Sequence, residues 1–386
     1  MAITVIRGAR LFTPEDRGEG DLVLAGGSVL ALGPGAAAAF DGLDAERIDG
    51  GGRLLLPGLL DVLTHPCGGG GEGGFGNRTA ELDAAAFIRA GVTLPVGALG
   101  TDSLGRSLEV LYGTVMGLRA AGLRACMYSG AYRVPAPTLT GDLARDLYLV
   151  EPVIGVGEVA VSDHRGAQPS PRELRRLAAD TQLGGILAGA GGTVLVHVGD
   201  GPGRLAPLRE AIAGSDLPPR VLFPTHVNRS PALLDEAADW ARGGGCVDVT
   251  VSTTPELIAA GDIPADEALR RLLGAGTPPA RITLSSDAGG SLPLYVDGEL
   301  RGLTAARPAV LSELLCALWA TEPALFPAAL AALTRNPASA LRLPGAGTLQ
   351  VGGRADLLLL DTGRGAVTDL FCGGRRLLRD GAIVSI

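Results

Sequence analysis

Imidazole is scarce in this chain, with four histidines among 386 residues, and thiols are nearly as few. The five cysteines, Cys67, Cys126, Cys246, Cys316 and Cys372, are odd in number, widely spaced and never form a CxxC pair. That spacing argues against a disulfide framework and leads us to expect reduced thiols in a cytoplasmic setting. A basic excess is also missing: 33 Lys and Arg against 41 Asp and Glu leave a net charge of −8. Neither nucleic acid nor an anionic membrane is an expected partner, since each would need a basic face. No stretch stays apolar for about 18 residues, so no membrane span is expected. The chain opens on Ile3-Thr4-Val5-Ile6, without a basic segment followed by an apolar one, and export is not expected either. Internal repeats are absent, and the 59 glycines fall at turns between apolar runs.

What remains is the composition of a compact globular protein, 46% hydrophobic and 19% charged, and too long for one small domain. Residues 1–56 carry short apolar runs broken by glycine and acidic residues (Ile3 to Ile6, Leu22 to Leu24, Ser28 to Leu32, Arg53 to Leu56), the punctuation of a small β-module. Across residues 57–343, short β-type runs alternate with helical patterns, which predicts parallel strands joined by crossover helices. Eight such runs (Gly58 to Leu63, Thr93 to Ala98, Ala125 to Ser129, Val153 to Val159, Thr193 to His197, Val221 to His226, Cys246 to Val251, Ile282 to Ser286) fit a closed α/β barrel, a (β/α)8 TIM barrel. Helices are expected at Ser103 to Ala121, Ser170 to Ala188, Ala232 to Arg242 and Ala265 to Leu273. Residues 344–386 return to short strands, so the β-module is expected to be built from both termini.

Reactive groups in such a barrel project from the C-terminal ends of strands. His65, His164, His197 and His226 all stand at or just beyond an expected strand end, a placement that points to a metal site. His197 and His226 come from consecutive strands, and two neutral imidazoles suit zinc. Asp287 ends the last barrel strand, where a carboxylate beside a metal can move protons. Glu158 at the fourth strand is a second acid facing the same mouth.

The segments Pro57-Gly58-Leu59-Leu60-Asp61, Gly68-Gly69-Gly70-Gly71-Glu72, Gly100-Thr101-Asp102-Ser103, Ser129-Gly130-Ala131-Tyr132, Ser162-Asp163-His164-Arg165, Thr225-His226-Val227-Asn228-Arg229 and Ser285-Ser286-Asp287 run in order along the chain. Together they resemble isoaspartyl dipeptidase of the amidohydrolase superfamily, and Gly352-Gly353-Arg354-Ala355-Asp356-Leu357 resembles that superfamily's C-terminal β-module. The resemblance implies a binuclear zinc centre held by an HxH pair, a carboxylated lysine, two later histidines and an aspartate. Here the pair reads Leu63-Thr64-His65, and Glu158 stands where the lysine should be. A glutamate delivers its carboxylate with a shorter reach. Glu158, His197 and His226 are therefore expected to hold one zinc ion, as in relatives that deacetylate amino sugars. For His65 three roles stay open: ligand to a weak second ion, substrate orientation, or a loop hydrogen bond. Cys67 is either its partner or a buried inert thiol.

On the substrate side the resemblance implies that Glu72 holds an α-amino group and that Arg165, Arg229 and Ser291 hold carboxylates, with Thr101 nearby. Tyr132 would approach the developing oxyanion. The implied activity is hydrolysis of a β-aspartyl dipeptide, or a related amide of a small amino dicarboxylic acid, by metal-activated water with Asp287 as general acid and base. The alternatives are an enzyme for a cyclic or acylated amino-acid amide and a non-catalytic barrel that binds an acidic amino acid. A homo-oligomer is expected by analogy with the family.

Overall fold

The computed structural model describes residues 3–296 and 299–384. Five N-terminal strands, β1 (Ile3–Phe12), β2 (Asp16–Ala25), β3 (Ser28–Gly33), β4 (Glu46–Asp49) and β5 (Leu54–Pro57), arise from leucine- and β-branched-rich runs separated by turns. The chain then enters the barrel through β6 (Leu59–Thr64), β7 (Val92–Gly97), β8 (Cys126–Ser129), β9 (Val153–Val161), β10 (Thr193–Val198), β11 (Leu222–Thr225), β12 (Val247–Thr250) and β13 (Ile282–Ser285). A hairpin follows, β14 (Ser291–Val296) and β15 (Glu299–Ala305), and the tail supplies β16 (Leu357–Asp361), β17 (Ala366–Cys372), β18 (Arg375–Arg379) and β19 (Ala382–Ile383). β16 pairs antiparallel with β5, Leu358 opposite Leu56, so the strands of both termini share one sheet in the order β19-β18-β17-β16-β5-β1-β2-β3, with β4 beside β1.

All eight barrel runs read from the sequence are strands, within a few residues at each end. β6 to β11 form a continuous parallel sheet and β12 and β13 a parallel pair. Every residue of these strands is buried, as expected for a parallel sheet covered on both faces. Leu60, Leu63, Leu94, Tyr128, Leu195 and Phe223 fill the interior. The outer helices include Leu108–Ala120, Pro171–Ala188, Pro231–Arg242 and Ala265–Gly274. The first starts later than the Ser103 expected. Asp102 ties down the Gly105 amide in a turn, and Ser107, whose hydroxyl accepts from the Val110 amide, is the residue that caps the helix. No helix among the described residues is long and apolar enough to cross a membrane.

The β12–β13 pair is joined to the larger sheet by two buried carboxylates. Asp248 on β12 accepts from Thr225 at the end of β11 (2.7 Å) and from Thr283 and Ser285 on β13 (2.6 Å each). Asp61 on β6 accepts from the amide (3.0 Å) and hydroxyl of Ser286, just beyond β13. His65 donates its amide to Ala288 carbonyl at 2.6 Å on the same side. These bonds close the barrel and fix the chain where it delivers Asp287.

Burial pushes the carboxyl of Asp61 up to about 7 and that of Asp248 up to about 6, against the lowering effect of their serine and threonine donors. A carboxyl raised on folding contributes stability that is fully present below its unfolded value and is lost as pH rises through the folded one. The melting temperature is therefore expected to fall as pH rises from the ordinary carboxylate range up to about 6 to about 7, and to level off above that. Asp61→Asn should flatten that slope in calorimetric scans. An unchanged slope would show that the seam carboxyls do not titrate in this window.

Candidate metal and substrate site

Glu158 lies on β9 three residues before its end, deeper than a strand-end position, and its carboxylate is 1% exposed. Three imidazoles surround it: His226 Nε2 at 3.3 Å, His197 Nδ1 at 3.4 Å and His65 Nε2 at 3.6 Å. One ligand atom each from Glu158, His197 and His226 falls within 4.8 Å of the others, the spacing of a metal-binding triad. Burial alone would push Glu158 up, but the closeness of His197 and His226 outweighs it and holds the carboxyl well below its usual range, ionised. His226 is pushed down to about 4 by burial, with Arg229 and His197 adding to the effect against Glu158, so at neutral pH it is an uncharged imidazole. Its Nδ1 is hydrogen-bonded to Thr250 Oγ1 at 2.6 Å, which leaves Nε2 facing Glu158.

Two positions at the site carry backbone strain. His226 (φ 60°) and Asp287 (φ 55°) are non-glycine residues in the left-handed region, at a cost of about 1–3 kcal/mol each. Beyond Asp287 the chain turns through Gly289 (φ +82°), where a Cβ would stand 2.2 Å from the His65 carbonyl oxygen. Glycine is therefore required to bring β13 and β6 together at the mouth.

His65 Nε2 contacts Asp287 Oδ1 at 3.1 Å. Burial lowers its basicity, yet the hydrogen bond and charge of Asp287 and the charge of Glu158 outweigh this and push it up to about 9. Its Nδ1 meets the Ala98 carbonyl at 3.2 Å. His65 is thus paired with the acid of the site. Leu63, two residues earlier, is buried in the barrel interior among Leu60, Leu94 and Leu195. His164 takes no part in the cluster: its side chain is 82% exposed. Cys67 packs in the apolar core with its thiol toward Thr114 (3.5 Å), and burial raises its pKa.

The other sequence-derived residues converge on the same mouth. Tyr132 places its hydroxyl 2.7 Å from His197 Nδ1, and burial, with Glu158 nearby, raises the phenol well above its usual value. Arg165 bonds Glu72 Oε1 at 3.0 Å, and Thr101 donates to the same oxygen at 2.9 Å. Arg229 brings NH1 to 3.3 Å from His197 Nε2. A small cavity of about 50 Å³ is lined by His65, Tyr132, Glu158, His197 and Asp287. A larger one of about 350 Å³ shares Arg165, His226, Arg229, Asp287 and Ser291 with it and reaches Leu257, Leu292 and Pro293. Asp163, quoted in the sequence only as part of a motif, is a further member. Its carboxylate is 2% exposed and touches both His197 and Arg165.

No protein-family model matches the sequence. Solved structures do. A β-aspartyl dipeptidase from Fervidobacterium islandicum in complex with β-Asp-Leu dipeptide aligns over 100% of this chain and 99% of its own, at 36% identity and a TM-score of 0.89. A second structure of the dipeptidase from that organism gives 35% identity at the same TM-score. Dihydropyrimidinase from Brevibacillus agri (17% identity, TM-score 0.67, 99% of this chain and 96% of that one) shares the fold. So does an enamidase described as a member of the amidohydrolase superfamily (17%, 0.65, 98% and 97%). A curated relative, an imidazolonepropionase from Rhizobium rhizogenes, is 28% identical over 171 residues, 42% of this chain, and the match spans only 40% of that relative's length.

Metal analysis of variants checks the triad. Glu158→Gln and His197→Ala should each lose most of the divalent cation retained by the parent protein after desalting, whereas Cys67→Ser, whose thiol packs in the apolar core toward Thr114, should retain it. Equal metal content in all four proteins would show that the cation sits elsewhere.

Proposed function

The chain belongs to the β-aspartyl dipeptidase family of the amidohydrolase superfamily, and from that membership we propose that it hydrolyses β-aspartyl dipeptides or related amides of a small amino dicarboxylic acid. The observation that carries the proposal is the meeting of the Glu158, His197 and His226 triad with Asp287, Tyr132 and two arginines at one barrel mouth.

The donor set fits a single zinc ion. Two imidazoles and a carboxylate with a remaining open position form a catalytic zinc set, and His226 is neutral as a ligand must be. A second ion has less support, because Leu63 offers no donor and His65 is engaged by Asp287. When bound, the ion would supply Lewis acidity, lowering the pKa of water and polarising the scissile carbonyl. Asp287 then stands where it can take a proton from water and return it to the leaving amine. Tyr132, kept protonated by its raised pKa, remains an O–H donor for the oxyanion. The guanidinium forks of Arg165 and Arg229 match substrate carboxylates, with Ser291 adding a hydroxyl. Glu72 Oε2 is buried without a hydrogen-bond partner among the described residues, an acceptor suited to an ammonium group, while Thr101 steadies the other oxygen.

The five unpaired cysteines support a reducing, cytoplasmic setting. Exposed Tyr148, Leu149, Leu183, Ile186 and Leu187 on the neighbouring helices Leu143–Leu149 and Pro171–Ala188 support a homo-oligomer. The altered ligands Leu63 and Glu158 favour one second reading, action on a cyclic or acylated aspartate amide at the same site.

Purified protein should release free aspartate from β-aspartyl dipeptides and lose that activity to a chelator. Asp287→Asn should lower kcat by roughly 10²–10⁴-fold with little change in melting temperature. Turnover of cyclic or acylated analogues without release of aspartate from any β-aspartyl dipeptide, read by mass spectrometry, would favour the second reading.

A further inference from the structure

Asp163 is buried just beyond β9, and its two oxygens serve two sets of partners. Oδ1 accepts from Arg165 Nε at 3.0 Å and from the Arg165 amide at 2.8 Å, and Oδ2 accepts from Arg165 NH2 at 2.7 Å, a two-point fork. Oδ2 also lies 2.8 Å from His197 Nε2 and 3.9 Å from Arg229 NH1. A carboxylate forked by a guanidinium accepts hydrogen bonds, so the contact at 2.8 Å is made by the His197 Nε2–H. Nδ1 is the ring atom on the other side, 2.7 Å from the Tyr132 hydroxyl and 3.4 Å from Glu158, and so the one placed to coordinate a cation.

We propose that Asp163 is the positioning residue that joins metal binding to substrate binding: it fixes the His197 tautomer that offers Nδ1 to the cation and, through the same carboxylate, sets the orientation of Arg165. The inference rests on the hydrolytic reading for the role of Arg165 and on the triad alone for the role of His197. A carboxylate behind a metal-bound imidazole raises the basicity of the ligand and fixes its ring. Here the same carboxylate is shared with the guanidinium, so loss of its charge disturbs two functions that a simple structural contact would leave apart. Arg165, without its fork, is free to remain on Glu72 Oε1, where it already stands at 3.0 Å.

The test uses metal-free full-length protein titrated with cobalt(II) alone, followed by calorimetry and by the visible d–d absorption. Asp163→Asn keeps the side chain's volume and removes its charge; cobalt affinity should fall about 10–100-fold and the d–d band should change in position or intensity. With β-aspartyl dipeptide as substrate at saturating metal, KM should rise more than kcat falls, because Arg165 no longer holds its place. Asp163→Ser, which leaves room for water where the carboxylate stood, should move affinity and spectrum in the same direction and serves if the asparagine variant does not fold. Parent-like cobalt affinity together with a parent-like spectrum in either folded variant overturns the proposal. Those metal measurements decide the matter even if the parent protein hydrolyses no β-aspartyl dipeptide, an outcome that would remove the hydrolytic reading instead.

Discussion

The site depends on one buried carboxylate. Glu158 is ionised at the base of the barrel mouth, and it remains so only because three imidazoles stand within 3.6 Å of it. An unpaired buried charge would be neutralised by a shifted pKa or would destabilise the fold. The surrounding ring nitrogens supply the compensation. The sequence accommodates this by drawing its partners from separate strands: His65 follows β6, His197 lies on β10 and His226 follows β11. No local interaction could gather them, so the closed barrel is what makes the cluster possible.

Around that centre the electrostatics are arranged in layers. Closest in stand the carboxyl groups of Glu158 and Asp287, with His65 between them. Next come the neutral His226 and the phenol of Tyr132. Outside these, Arg165 and Arg229 give a positive rim, restrained by Asp163 and Glu72. A dicarboxylic amino acid entering the mouth would meet guanidinium groups first and an unsatisfied Glu72 oxygen beside them. The order of charges thus matches a substrate with two carboxylates and one ammonium.

Much of this was legible before any coordinates. Parallel barrel strands announce themselves as continuous Val, Leu and Ile runs because both faces are covered, and each of the eight runs became a strand. The convergence of these residues was legible because strand ends at one barrel face meet whatever their separation in sequence. Other features carried no such signal. Hairpin β14–β15 contains Pro293 and Gly302, residues that argue against a strand when neighbours are unknown. The seam formed by Asp61, Asp248 and their serine and threonine donors is made of contacts between distant residues, invisible to periodicity. His164 stood at a strand end like its three counterparts, yet the turn after β9 directs it to solvent and its neighbour Asp163 inward. The depth of Glu158 within β9 likewise follows from barrel geometry, which hydrophobic pattern alone does not measure.

The account stands most directly on where the cation lies. Anomalous scattering recorded at the zinc edge from crystals of the metal-loaded protein should give one strong peak, within bonding distance of Glu158, His197 Nδ1 and His226 Nε2. A map without a peak there, or with its peak between His65 and Asp287 instead, would contradict it.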